Sequence, residues 1–295
     1  MQTFEELKRK LSATEDMRSV VRTMKSMAAV NIRQYEKAVE SLGDYAEVVE
    51  MGLSVLLKEK SAVGEGFAHT GKGIGAALFG SDQGMCGQFN ENVITFMEKH
   101  LSDMGLERRD INVLALGMKA AGILKTKGFA VDERHEVPAS VNGINESTRK
   151  IWMKILQWRS ESGIGEVYLF YNQPKSKAAY DPVSVRLLPI DKKWLDLLLE
   201  RKWESRSIPL FTMNWDELFG ALLRQYLYIS IYRAFAESLN SENAARLSAM
   251  QVAEKNIEER IAELTSQYNL QRQGSITSEL LDIISGFEAL STQSR

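Results

Sequence analysis

One cysteine, five prolines and three histidines are all that 295 residues contain of the types that most often staple, break or ligate a chain. The lone Cys86 excludes an internal disulfide and suits a reducing compartment. His69, His100 and His135 share no metal-ligand spacing, so no metal is expected. No run approaches the ~18 apolar residues of a membrane span, so a membrane is expected to be reached only through partners. The opening "MQTFEELKRK" has neither an apolar signal core nor the Arg/Ser-rich character of a transit peptide. A net charge of −2 gives no general reason to expect nucleic acid or an anionic membrane. The prolines are also unevenly placed, with Pro138, Pro174, Pro182, Pro189 and Pro209 all in the middle. Proline in a helix interior costs ~3 kcal/mol, so the two proline-free ends can carry long helices.

Both ends carry helix periodicity. Ala28, Ile32, Tyr35, Val39, Leu42, Ala46, Val49, Leu53 and Leu56 recur with alternating gaps of 4 and 3, the spacing of a coiled-coil seam. Upstream, Phe4, Leu7, Leu11, Met17, Met24 and Met27 continue the stripe less regularly. At the other end, Asn214 with Glu217 resembles a capping box. From there Leu218, Leu222, Tyr226, Ile229, Met250, Ile257, Ile261, Leu264 and Tyr268 lead into the closing stripe "SITSELLDIISGFEAL". Some 75 helical residues would reach on the order of 110 Å, which no compact domain holds. An antiparallel coiled coil of the two ends answers this, and an intermolecular coil competes with it. The N-terminal arm is locally basic. Lys8, Arg9, Lys10, Arg18, Arg22, Lys25 and Arg33 face only Glu15 and Asp16 in that stretch, which fits a solvated face or a collar toward a partner.

The middle reads as a small α/β layer fold, expected over 65–209 between arms of 1–60 and 210–295. "IGAALFG", "INVLALG", "GEVYLFY" and "PVSVRLLPI" are strand-like, with a further edge strand around 129–137. "NENVITFMEKHLSDMG", "GMKAAGILKTKG" and "STRKIWMKILQWRSES" are helical. Glycines 80, 84 and 87 lie between a strand and a helix, where phosphate loops occur. They lack the Lys-Ser/Thr ending and the GxGxxG spacing, so a structural turn is the main reading and phosphate binding the lesser one. Cys86 in that turn reads as a small buried residue before a nucleophile. No set of residues assembles a catalytic site, and no cofactor is expected.

Four segments, in order, resemble the gamma subunit family of F-type ATP synthases. They are "VVRTMKSMAAVNIRQYEKA" (20–38), "GSDQGMCGQFN" (80–90), "NSENAARLSAMQVAEKN" (240–256) and "YNLQRQGSITSELLDIISG" (268–286). The resemblance implies an antiparallel coil of the termini carrying a Rossmann-like α/β domain, a central rotor without catalytic residues of its own. Its implied partners are an alpha/beta hexamer, an epsilon subunit and a membrane ring of c subunits. By matching position, Arg246, Gln273 and Thr277 would touch a beta-subunit loop. Met24, Arg18, Arg22 and Lys25 would face the lower collar of the hexamer. Ile283, Ile284, Phe287 and Leu290 would enter an apolar sleeve at its top. The implied location is the cytoplasmic face of a bacterial inner membrane, as a peripheral protein. The segment "ERKWESRSIPLFTMNWDEL" lacks the family's Y-x-Y-E-P-like pattern, so residues touching the ring are not carried over. Val30, Asn31, Met85 and Gln88 also depart from common bacterial members, which allows a divergent bacterial paralogue, for example one serving a sodium-driven enzyme. The resemblance implies that the c ring chooses the ion, so proton and sodium coupling both stay open.

Two rival functions remain at this stage. One is a nucleotide-binding α/β enzyme with a coil for dimerisation, and the other is a coiled-coil scaffold. A further expectation is that Ala245, on the C-terminal arm, lies remote from the α/β domain.

Overall fold

The computed structural model describes residues 4–59, 71, 73–176, 179–203 and 209–293, with the side chains of 176 and 286–293 outside the described set. His69 also lies outside the described residues. Helix α1 spans Phe4–Glu59 and helix α6 spans Trp215–Gln293. Between them come β1 Gly73–Phe79, α2 Phe89–Asp103, β2 Ile111–Leu116, α3 Met118–Thr126, β3 Val131–His135, α4 Val141–Glu161, β4 Ile164–Ser176, β5 Ala179–Leu188 and α5 Lys192–Glu200. Every strand and helix expected in the middle is there. Helix α5 was not anticipated, because nine residues carry too few periods to stand out. Oδ1 of Asn214 accepts the N–H of Asp216 at 3.1 Å, so the expected N-cap of α6 forms.

The sheet has the order β3-β2-β1-β4-β5. Its first four strands are parallel, and β5 returns antiparallel to β4 along the edge. Successive residues of β1 point to opposite faces, as a pleated strand requires. Ala77 and Phe79 join a core with Ile151, Ile155 and Trp158 of α4 and Ile231 and Phe235 of α6. Ala76 and Leu78 join a second core with Val93 and Met97 of α2 and Leu124 of α3. Gly75 has its reason here. A Cβ on it would sit 2.7 Å from the Trp158 ring, so only glycine lets α4 close on the strand.

The chain divides into two compact units. The larger, Ala28–Leu247, holds the sheet and the adjoining part of each long helix. In it the heptad positions from Ala28 to Leu56 are all buried or half-buried. The Trp215 indole donates to the Leu56 carbonyl at 2.9 Å, and Asn31 Nδ2 donates to Asn243 Oδ1 at 3.3 Å, so the two helices run antiparallel. Close packing of the two helices explains Gly52, where a Cβ would lie 3.1 Å from Leu222. Leu53, Leu56, Phe219 and Leu223 pack there with Leu198 of α5.

The smaller unit, Met1–Met27 with Ser248–Arg295, is built from the remaining parts of α1 and α6. Its buried or half-buried positions on α1 are 4, 7, 11, 14, 18, 21, 24 and 25. Phe4, Leu7, Leu11 and Met24 keep to the expected stripe, and its other two residues are corrected. Met17 and Met27 are 57% and 60% exposed, and the seam runs instead through Thr14, Arg18, Val21 and Lys25. The alternating spacing of the heptads is kept while the residue chemistry changes, and reading only apolar types missed the path. Phe4 stacks on Tyr268 with ring centroids 4.8 Å apart, and Leu7, Met250 and Leu264 are buried. Among the described residues, no helix is long and apolar enough to cross a membrane.

Candidate functional site at the carboxyl ends of the strands

In open parallel sheets the crevice beyond the carboxyl ends of the strands, where the strand order reverses, is where ligands settle. Here that place lies between β1 and β4, and helix α6 fills it. Every residue from Ala234 to Ala245 is buried. Much of that stretch is polar, so each group needs a partner. Ser241 Oγ donates to the carbonyl of Asn172 on β4 at 2.9 Å, and Ser238 Oγ to the carbonyl of Phe79 on β1 at 3.4 Å. Gln173 Nε2 donates to Glu237 Oε2 at 3.0 Å. Burial pushes the Glu237 carboxyl above its ordinary range, while hydrogen bonds from Gln173 and Tyr171 pull the other way. Asn243 donates to the Leu239 carbonyl at 2.8 Å while accepting from Asn31.

The glycine-rich turn after β1 spends its polar groups inside the fold. A Cβ on Gly80 would meet Ala120 at 2.3 Å, and its N–H donates to the Leu116 carbonyl at 2.7 Å. Ser81 N–H donates to Asn90 Oδ1 at 2.9 Å, and Asn90 Nδ2 returns a bond to Ser81 Oγ at 2.8 Å. The Asp82 carboxylate accepts the N–H of Met118 at 2.8 Å and of Val137 at 2.9 Å. Met118 is the first residue of α3, so Asp82 satisfies an orphan donor at a helix N-terminus. The turn is thus a clasp between strand ends.

Cys86 is buried in that clasp, 3.6 Å from Ser81 Oγ, and burial pushes its thiol up. A thiol so held is a packing group, because the reactive form is the thiolate. It packs with Phe89 and Ala245, beside Tyr180. Ala245 therefore belongs to the α/β domain's own core, which corrects the expectation that it lies remote from it. The heptads stop after Ile229 and resume at Met250. The gap is where α6 covers the sheet while α1 still lies along it, as the Asn31–Asn243 bond shows.

Arg246 follows at once. Its Nη2 donates to Glu242 Oε1 at 2.6 Å, and its Nε is buried without a hydrogen-bond partner among the described residues. Burial raises the Glu242 carboxyl, with Arg246 opposing and Asp82 adding to the rise. Tyr35, pushed up to about 12 by burial, feels the same pair from α1. Three of the segments singled out in the sequence, 20–38, 80–90 and 240–256, contribute Asn31 and Tyr35, Asp82 and Cys86, and Glu242 and Arg246 to this one locality. Glu242, Glu237 and Ser241 were not anticipated as site residues. The available signal was a run of small polar residues in the middle of a helix.

The other sequence-derived residues fall in the smaller unit. Arg22 Nε donates to Glu254 at 2.8 Å and its Nη2 to Glu258 at 3.2 Å, and Lys25 also pairs with Glu254. Lys25 first and then Arg22 hold the Glu254 carboxyl below its ordinary range. Arg18 and Met24 are half-buried. Beyond Tyr268 every residue from 269 to 285 is exposed, Gln273 and Thr277 included, and Thr277 Oγ1 donates to the Gln273 carbonyl at 2.9 Å. Ile283 and Ile284 are 68% and 53% exposed, with Leu270, Ile276, Leu280 and Leu281 also bare. Phe287 and Leu290 continue the helix, and their side chains lie outside the described residues.

A family model described as ATP synthase matches residues 3–290. A gamma chain of ATP synthase from Syntrophus aciditrophicus is 32% identical, over 98% of this chain and 99% of that protein. One from Geotalea uraniireducens is 27% identical, again over 98% and 99%. Among solved structures, a rotor chain of Euglena gracilis mitochondrial ATP synthase superposes with TM-score 0.64 at 16% identity, covering 92% of this chain and 98% of that one. A chain of the Tetrahymena thermophila central stalk and c-ring structure gives 0.55 at 19% identity, covering 79% and 99%. At these identities the two structures speak for the fold.

Proposed function

This chain belongs to the gamma-chain family of F-type ATP synthases, as the non-catalytic subunit of the central stalk, and from that premise we propose that its helical arms are a shaft turned by ion flow. In this reading α1 and α6 rise into an alpha/beta hexamer that makes or hydrolyses ATP. The α/β domain rests on a c-subunit ring and holds an epsilon subunit. The work is done at the cytoplasmic face of a bacterial inner membrane, which the chain meets only through those partners. The functional segments are arms of 1–60 and 210–295 and a carried domain of 65–209.

The observation that carries this is the bare end of α6. A soluble chain rarely exposes a contiguous aliphatic face of this kind without a partner to cover it. Ile283 and Ile284, with Phe287 and Leu290 beyond them, suit a sleeve because apolar contact is nondirectional and fixes no single rotational angle. Gln273 and Thr277 offer an amide and a hydroxyl that exchange hydrogen bonds readily, and Arg246 offers a guanidinium, at a contact with beta. Met24, with Arg18, Arg22 and Lys25 around it, meets the lower collar. Arg22 and Lys25 arrive there already paired with Glu254 and Glu258, so the collar contact rests more on shape than on charge.

The test is the assembled complex carrying a chain cut after Gly274. Assembly with alpha and beta should persist, and ions pumped per ATP should fall. Pumping equal to the full-length complex would sink the bearing role. Failure of alpha and beta to co-purify with the full chain would sink the shaft itself.

A further inference from the structure

The Glu242–Arg246 pair is a poor device for stability. The two side chains are 9% and 13% exposed, so both charges have left most of their water. A buried pair repays that loss only when its remaining donors are satisfied, and Arg246 Nε finds no acceptor among the described residues. The titratable groups facing the pair are Tyr35 from α1 and Asp82 and Cys86 from the β1–α2 turn. Asp82 is committed to two backbone N–H groups, and Cys86 is a neutral thiol. Glu242, one turn back on the same helix, reaches only the Nη2 end of the fork.

A guanidinium has five N–H donors and Glu242 is bonded to Nη2 alone, so the rest of the fork is suited to a second carboxylate, which can accept two N–H groups side by side. We propose that Glu242 is a positioning residue for Arg246, an internal carboxylate that holds the guanidinium on the shaft and competes for it with a carboxylate of the beta subunit. The competition rests on the reading that Arg246 meets the head. It gives the internal pair a purpose that stability does not. A grip that formed without competition would hold the shaft at one angle, whereas an internal acceptor lets the contact release as the shaft turns.

The experiment uses the assembled alpha/beta/gamma complex with Glu242→Gln, Glu242→Asp, Arg246→Gln and the double variant Glu242→Gln/Arg246→Gln. Glu242→Gln should slow dissociation of the shaft from the head about tenfold, the equivalent of ~1.4 kcal/mol, and lower ATP turnover with it. Glu242→Asp keeps the charge but withdraws it by one methylene, and should do the same to a lesser degree. It also serves if the glutamine variant folds poorly. The double variant should behave as Arg246→Gln alone. Slowing by Glu242→Gln that is equal with Arg246 in place and with Arg246→Gln already present overturns the proposal, and so does no slowing by either Glu242 variant.

A second measurement stands apart from the head. In the isolated chain, exchange of the Arg246 guanidinium protons, followed by NMR, should quicken about tenfold in Glu242→Gln, again ~1.4 kcal/mol of lost hold. Unchanged exchange overturns the hold itself. Arg246→Gln without effect on coupling, beside quickened exchange, overturns the competition through the reading beneath it and leaves the hold standing.

Discussion

Two stretches of helix α6 invert the ordinary relation between polarity and burial. Ala234–Ala245 carries two glutamates, two asparagines and two serines, and all of it is buried. Residues 276–284 read "ITSELLDII", and all of it is exposed. The first stretch is stable inside because strand carbonyls, Gln173 and Asn31 answer its polar groups. The second is tolerated outside because a continuous helix satisfies its own backbone, leaving the aliphatic side chains as the exposed cost. The difference separates what holds this chain together from what it offers to others. The buried stretch is anchorage, and the bare one is, on the function proposed above, a surface for a partner.

The largest effect that tests this contrast is in the anchorage. Phe235 is buried edge-on to Phe79, with ring centroids 4.9 Å apart. Phe235→Ala should cost about 3–5 kcal/mol, read by chemical denaturation of the isolated chain. A cost below about 1 kcal/mol would mean that α6 is not part of the domain's core.

Ile283→Ser with Ile284→Ser makes the opposite claim. Stability of the isolated chain should stay within about 0.5 kcal/mol of the parent, since neither side chain is buried in it. Coupling in the complex should fall. A destabilised isolated chain would show that this face is covered within the protein and is no docking surface.

Glu237→Gln sharpens the anchorage further. Burial raises the Glu237 carboxyl in the folded chain. The group therefore favours folding at pH below its unfolded value, and that contribution is lost as pH rises through the folded value. The variant should melt higher than the parent at about pH 8 and lose the advantage below about pH 4. An advantage that is the same at both pH values would show that ionisation is not the cause.

The smallest effect belongs to the paired helices of the smaller unit. Glu254 is held low by Lys25 and Arg22, so its contribution is present above the unfolded carboxylate value and is lost as pH falls through the folded one. Glu254→Gln should give a slight loss of melting temperature at neutral pH and low salt. The loss should vanish in about 1 M salt, where the Debye length is about 3 Å. A loss that survives high salt would point to packing.

Much of this was legible in the residues themselves. Proline confined to the middle and the alternating gaps from Ala28 to Leu56 specified two long helices, because both are local consequences of backbone geometry. The strand and helix runs of the middle were equally local. What the sequence left open depended on which surface each helix meets. Met17 and Met27 are apolar, yet the seam passes through Arg18 and Lys25, because a long basic side chain buries its stem and, for Lys25, finds Glu254 across the pair. The antiparallel return of β5 was not legible either, nor was the burial of Ala234–Ala245, because polar residues by themselves give no sign of the partners that would take them inside. Only when strand ends bring carbonyls and amides to that helix does its interior placement become favourable. Ala245 likewise changed from a point on a free arm to a core residue beside Cys86 and Phe89. Periodicity determined the elements by itself. Their surroundings were decided by the tertiary structure, because a polar group's cost of burial is set by partners that lie far away along the chain.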